Sequence, residues 1–124
     1  MNDEMPTDGV SGELMPVSDE EWERMQQDEN DLSPAQVERL ALLAEEMGEA
    51  IQAIGKVLRH GLLNFHPESG VTNRASLEME LGDVLYAMEL MESSGDVSAS
   101  ALATWKEVKR ESAAKWLHHQ GEAR

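Results

Sequence analysis

The sequence predicts an all-α protein: a helical bundle of three main helices plus a short N-terminal helix, completed by oligomerisation. Three observations carry that expectation. Apolar residues recur at three- and four-residue spacing in three successive stretches, which is the helical period. The apolar side chains are mainly Leu, Ala, Met and Val, with only 4% aromatic residues in a chain that is 40% hydrophobic. No β-branched run appears, so nothing speaks for a sheet.

The N-terminal stretch, residues 1–32, differs in composition from the rest. Residues 1–33 hold 11 of the 25 acidic residues and only Arg24 among the 10 basic ones. Pro6, Gly9, Gly12 and Pro16 punctuate it, and it reads as a flexible acidic segment. Ser18 and Glu21 form a capping-box pair there, with Trp22 and Met25 on one face, so one short helix is expected. The domain proper, residues 33–120, opens at a strong signal: Ser33 as cap, Pro34 at the first helical position and Gln36 completing the box. Leu40, Ala44, Met47, Ile51, Ile54 and Leu58 form the stripe expected to face the core, and Gly61 stops the helix. A loop follows over 61–72, containing Asn64, His66-Pro67 and Ser69-Gly70. Thr72 or Asn73 caps a second helix with the stripe Leu77, Leu81, Val84, Met88 and Met91, ended by Ser93-Ser94-Gly95. Asp96 or Ser98 opens a third helix carrying Leu102, Trp105, Val108 and Trp116.

Several apolar residues lie off those stripes: Leu42, Ala50, Ala53 and Val57 on the first helix, Met79, Tyr86 and Leu90 on the second. A helix apolar on two sides needs neighbours on two sides. Self-association into a dimer or tetramer meets that need; the plainer alternative is a monomer covered by its own N-terminal segment.

At 124 residues the chain fits one domain with one modest core. The formal net charge of −15 argues against nucleic acid or an anionic membrane as partner, and suits cations or basic proteins. With no cysteine, disulfides, zinc thiolates and thiol nucleophiles are excluded. The acidic start does not resemble a signal peptide, and no apolar run approaches the ~20 residues that span a bilayer. A cytoplasmic location is the expectation.

Chemistry concentrates in two places. Glu45, Glu46 and Glu49 form one patch on the first helix, and Glu80 and Asp83 another on the second. Close, partly buried carboxylates repel one another and require cations or protons. Magnesium is the natural answer, because it takes carboxylate oxygens and keeps positions for a phosphate ligand. Gly48 and Gly82 sit beside these carboxylates at about 1 kcal/mol each in helix propensity, which suggests room for a neighbouring helix or ligand. The bland reading is a solvated acidic face. Two patches on successive helices, each flanked by apolar residues, favour a metal site.

Basic groups are few. Lys56, Arg59 and His60 end the first helix and Arg74 starts the second; a tight antiparallel hairpin would cluster them for phosphate binding. Compensation of the helix end is the alternative. Lys106, Lys109, Arg110 and Lys115 read as a solvated face, with Lys106 or Lys109 able to reach a phosphate. Asn73 is a cap before it is a ligand contact. Trp105 and Trp116 are expected in the core rather than stacked on a base, the methionines read as core filler, and His66, His118 and His119 have no evident role.

The ordered pair Glu-Glu-x-x-Glu, then Glu-x-x-Asp on the next helix, resembles the all-α nucleoside triphosphate pyrophosphohydrolases: the MazG-like enzymes and their relatives, the dimeric dUTPases and phosphoribosyl-ATP pyrophosphohydrolases. The resemblance covers about residues 36–117 and is strongest at Leu43–Ala50 and Glu78–Val84; the small phage-type MazG-like proteins are the nearest subgroup. It implies magnesium-dependent hydrolysis of a nucleoside triphosphate, (d)NTP, to the monophosphate and pyrophosphate. Glu45, Glu46, Glu49, Glu80 and Asp83 would be the metal ligands, with one Glu of the first three orienting or deprotonating water. Lys56, Arg59, Arg74 and Lys109 are the candidates for substrate phosphates. The spacer 50–79 is longer than in compact members, and its extra length falls in the 61–72 loop. Other functions stay open: action on another pyrophosphate-linked nucleotide, a nucleotide sensor without turnover, or a non-catalytic acidic interaction protein whose N-terminal segment engages a basic partner.

Overall fold

The computed structural model describes residues 16–22 and 30–121. The chain divides into two units, residues 1–33 and 34–124. In the first, residues 19–22 form a helical turn. Ser18 closes the expected capping box: its N–H donates to Glu21 Oε2 at 3.0 Å, and the Glu21 N–H donates to Ser18 Oγ at 3.2 Å. Trp22 is exposed. Met25, and most of the segment expected to be flexible, lie outside the described residues.

The second unit is built from three helices: α1, Pro34–His60, α2, Asn73–Ser93, and α3, Ala99–Ala113. Each boundary has a local cause. Gly61 adopts φ 88°, the left-handed conformation that ends a helix, and its N–H donates to the Val57 carbonyl at 2.7 Å. Thr72, rather than Asn73, caps α2, its Oγ1 accepting from the Ala75 N–H at 3.1 Å. Asn73 instead ties the loop shut, donating from Nδ2 to the Gly61 carbonyl at 3.0 Å. Gly95, at φ 83°, ends the run after α2, and Ser98 caps α3 by accepting from the Ala101 N–H at 3.2 Å. Asp96 is not that cap. It pairs with Arg39 near the start of α1, whose Nη2 donates to Asp96 Oδ1 at 3.0 Å. The guanidinium holds the Asp96 carboxyl below its ordinary range, first by this hydrogen bonding and then by its charge. This pair latches the far end of α2 to the beginning of α1, which makes the two helices an antiparallel hairpin.

Close packing between helices is confined to α1 against α2 among the described residues. Its centre is small: Ala50 and Ala53 on α1 and Ala87 and Met91 on α2 are the four buried apolar residues. Leu42, Leu43 and Val57 of α1 and Leu77, Val84 and Met88 of α2 flank them, half-buried. The contact face of α1 is therefore the one carrying Leu42, Ala50, Ala53 and Val57. The stripe expected to be the core face lies about a third of a turn away, with Ile51 68% and Leu58 81% exposed. Periodicity locates both apolar faces, but alanine lets helix backbones approach closely, and the Ala face also carries the carboxylates. On α2 the expected stripe does turn inward, apart from exposed Leu81.

α3 has no buried residue. Trp105, at 67% exposure, and Trp116, at 79%, are not core residues of this chain, contrary to expectation; Trp116 lies in the turn after α3. With no closely packed helix opposite them, their apolar surface is left facing outward. No strand occurs among the described residues, only an isolated antiparallel bridge between Phe65 and Thr72. No described helix is long and apolar enough to cross a membrane.

Candidate metal centre

The alanine contact sets the spacing of the acidic residues. Glu46 and Glu49 lie one turn apart on the inner side of α1, and Glu80 and Asp83 do the same on α2. Where the helices meet over Ala50 and Ala87, all four side chains converge. One carboxylate oxygen from each lies within 4.8 Å of the others. Glu46, Glu49 and Glu80 are half-buried and Asp83 is exposed. Glu45 is exposed and outside this group of four, although its charge acts on Glu46.

The arrangement is starved of positive charge. Burial pushes the Glu46 carboxyl above its ordinary range, and the charges of Glu49, Asp83, Glu45 and Glu80 push further. Glu80 is also raised, first by burial, then by its hydrogen bond with Glu49 and the charges of Glu49 and Asp83; Lys56 opposes the shift. Glu46 Oε2 and Glu80 Oε2 are buried with no hydrogen-bond partner. A buried carboxylate oxygen without a partner is costly, and here two of them sit in one cluster of like charges. A hard divalent cation removes both penalties together. An all-oxygen donor set of this kind fits magnesium, manganese or calcium, and not the softer metals that favour thiolate or imidazole. The space beside Gly48 and Gly82 is open, with no atom near a side chain built there. Neither glycine is explained by close approach of a helix within this chain.

A cleft of about 280 Å³ leads away from the carboxylates, lined by Glu49, Gln52, Lys56, Asn73, Ser76 and Glu80 among others. A second cleft of about 670 Å³ continues from it between the end of α1 and the 61–72 loop, bringing in Arg59, His60, Phe65 and His66. Lys56 lines both clefts and so stands beside Glu49 and Glu80, whereas Arg59 joins it only in the second, further from the acidic centre. Arg74 and Lys109 line neither cleft. Gln52 and Ser76 were not picked out by the sequence reading. Their signal was spacing alone: one helical turn after Glu49 and one before Glu80.

Fold and site together define a class, the all-α proteins in which facing helices of a hairpin present carboxylates as a centre for hard cations. The family follows from the sequence as a whole: residues 36–116 match the MazG nucleotide pyrophosphohydrolase domain, and the chain belongs to that family. The match spans all three helices and bears out the resemblance carried by the two acidic motifs. No curated protein and no solved structure matches the chain.

Proposed function

We propose that the protein is a magnesium-dependent nucleoside triphosphate pyrophosphohydrolase that converts a (d)NTP to the monophosphate and pyrophosphate. The observation that carries this reading is the four-carboxylate cluster with its two unpartnered buried oxygens, in a chain of the MazG family. Glu46, Glu49, Glu80 and Asp83 would hold the ions, with Glu45 at the margin. Bound magnesium supplies neutralisation of phosphate charge and makes water a better nucleophile. Lys56 and Arg59 would hold the phosphate chain, Arg59 with the planar fork that suits phosphate oxygens. Water adds to the α-phosphorus, the α–β bridging bond breaks, and pyrophosphate leaves. The proton released by water passes to a carboxylate of α1. The exposed apolar face of α1, with Leu40, Met47, Ile51, Ile54 and Leu58, supports a homo-oligomer, a dimer or tetramer, in which a second copy covers it.

The test is product identification after incubating purified protein with magnesium and each nucleoside triphosphate. Monophosphate and pyrophosphate are expected, and release of a diphosphate with inorganic phosphate would overturn the reading. Glu49→Gln and Asp83→Asn should each reduce turnover by about 100-fold or more, because charge stabilisation by a metal is worth several kcal/mol. Their helical circular dichroism should be preserved. Normal turnover in both variants would remove the site assignment.

A further inference from the structure

The 61–72 loop has features that neither the hairpin nor the carboxylate centre requires. Residues 61–71 are exposed throughout, yet the backbone is laced together. The His66 N–H donates to the Val71 carbonyl at 3.1 Å and the Gly70 N–H to the His66 carbonyl at 2.8 Å. At the base of the loop, the Asn73 N–H donates to the Asn64 carbonyl at 2.8 Å and the Arg74 N–H to the Leu62 carbonyl at 2.9 Å. A loop bonded this way is a preorganised platform. Its most prominent side chain is Phe65, the only phenylalanine in the chain, held 58% exposed. Phe65 is anchored through its backbone: it bridges to Thr72, the α2 cap, and its N–H donates to Asn64 Oδ1 at 2.8 Å.

Phe65 lines the 670 Å³ cleft, a volume within the ~300–1,000 Å³ typical of small-ligand sites. That cleft shares Lys56, Asn73, Ser76 and Met79 with the smaller one beside Glu49 and Glu80. One continuous path therefore runs from carboxylates, past Lys56 and Arg59, to an aromatic ring on a rigid loop. A ligand that fits the path carries a cation-binding anion at one end and a flat π-face at the other. The polar edge of such a face also has a partner. His66 lines the same cleft, and its Nδ1 accepts from the Glu68 N–H at 3.3 Å, which leaves Nε2–H as a donor for a ring nitrogen or carbonyl oxygen.

We infer that the 61–72 loop is the nucleobase subsite, with Phe65 stacking on the base and His66 donating to its edge, so that this loop makes the protein select nucleotides over bare polyphosphates. The inference rests on the proposed hydrolysis at the neighbouring carboxylates and names the substrate groups that hydrolysis would act beside.

The experiment compares Phe65→Ala, Phe65→Trp and the parent chain on deoxynucleoside triphosphates and on inorganic tripolyphosphate, with magnesium present. Loss of stacking should raise the nucleotide KM about tenfold in Phe65→Ala, with kcat little changed. Tripolyphosphate cleavage should be unaffected, and Phe65→Trp should restore the nucleotide KM. An unchanged KM in Phe65→Ala, with a parent enzyme that turns nucleotides over, overturns the subsite and leaves the hydrolytic reading intact. Calorimetric binding of non-hydrolysable α,β-imido deoxynucleoside triphosphates separates the two claims. Binding that weakens about tenfold in Phe65→Ala without any turnover by the parent keeps the subsite and overturns hydrolysis. Absence of binding by the parent overturns both.

Discussion

Asp96 shows how one side chain can serve the architecture instead of the chemistry. It stands where a helix cap was expected, yet its carboxylate is committed to Arg39 across the hairpin. Because the guanidinium depresses its proton affinity in the fold, the pair contributes stability above the unfolded-chain value of 3.8, and that contribution is lost as pH falls through the still lower folded value. Asp96→Asn should therefore melt at a lower temperature than the parent at neutral pH, with the gap closing on acidification. Thermal melts between about pH 7 and pH 3 check this; a gap independent of pH would mean that the ion pair contributes nothing. Glu46 and Glu80 behave oppositely. Burial and mutual repulsion raise Glu46 and Glu80, so in the metal-free chain their ionisation works against the fold, whereas that of Asp96 works for it.

At the scale of elements, the α1–α2 contact determines the site. Ala50, Ala53 and Ala87 keep the helices near enough for Glu46 and Glu49 to meet Glu80 and Asp83, and a larger residue at the seam would push the two pairs apart. Ala87 is 1% exposed. Ala87→Leu should cost about 1–3 kcal/mol through overpacking, read as a lower urea midpoint, and should weaken magnesium binding as well. An unchanged midpoint would show that the seam has room, and that alanine there is not what positions the carboxylates. The 61–72 loop is the other decisive element. Its closure by Asn73 and its bridge at Phe65 and Thr72 give the wall of the larger cleft a defined shape.

At the scale of the molecule, one hairpin with a four-residue buried core is too slight to satisfy all the apolar surface present. The outer face of α1 and Trp105 of α3 remain uncovered within the chain, and the proposed homo-oligomer would cover them. Ile51→Glu combined with Leu58→Glu should convert an oligomer to a monomer, measured by sedimentation. Both side chains are already largely exposed within the chain, so the helical signal should persist. An unaltered sedimenting mass would show that this face is not the interface.

The sequence by itself determined the helices, their stops and the acidic motifs, because these depend on residues close along the chain: Gly61 and Gly95 at stops, carboxylates one turn apart; of the starts it fixed Pro34, while the structure chose Thr72 over Asn73 and Ser98 over Asp96 as caps. It also carried the family, since Glu-Glu-x-x-Glu and Glu-x-x-Asp occur in order on successive helices. Only the tertiary structure decided which apolar face of α1 meets α2. Hydropathy ranks the leucine and isoleucine stripe above the alanine face, whereas close helix approach favours the smaller side chains. That choice in turn admitted Glu46 and Glu49 to the cluster, left Glu45 outside, and separated Lys56 and Arg59 from Arg74 and Lys109. Convergence of charge in space depends on how two helices are rotated about their axes, and no local pattern along one chain encodes that rotation.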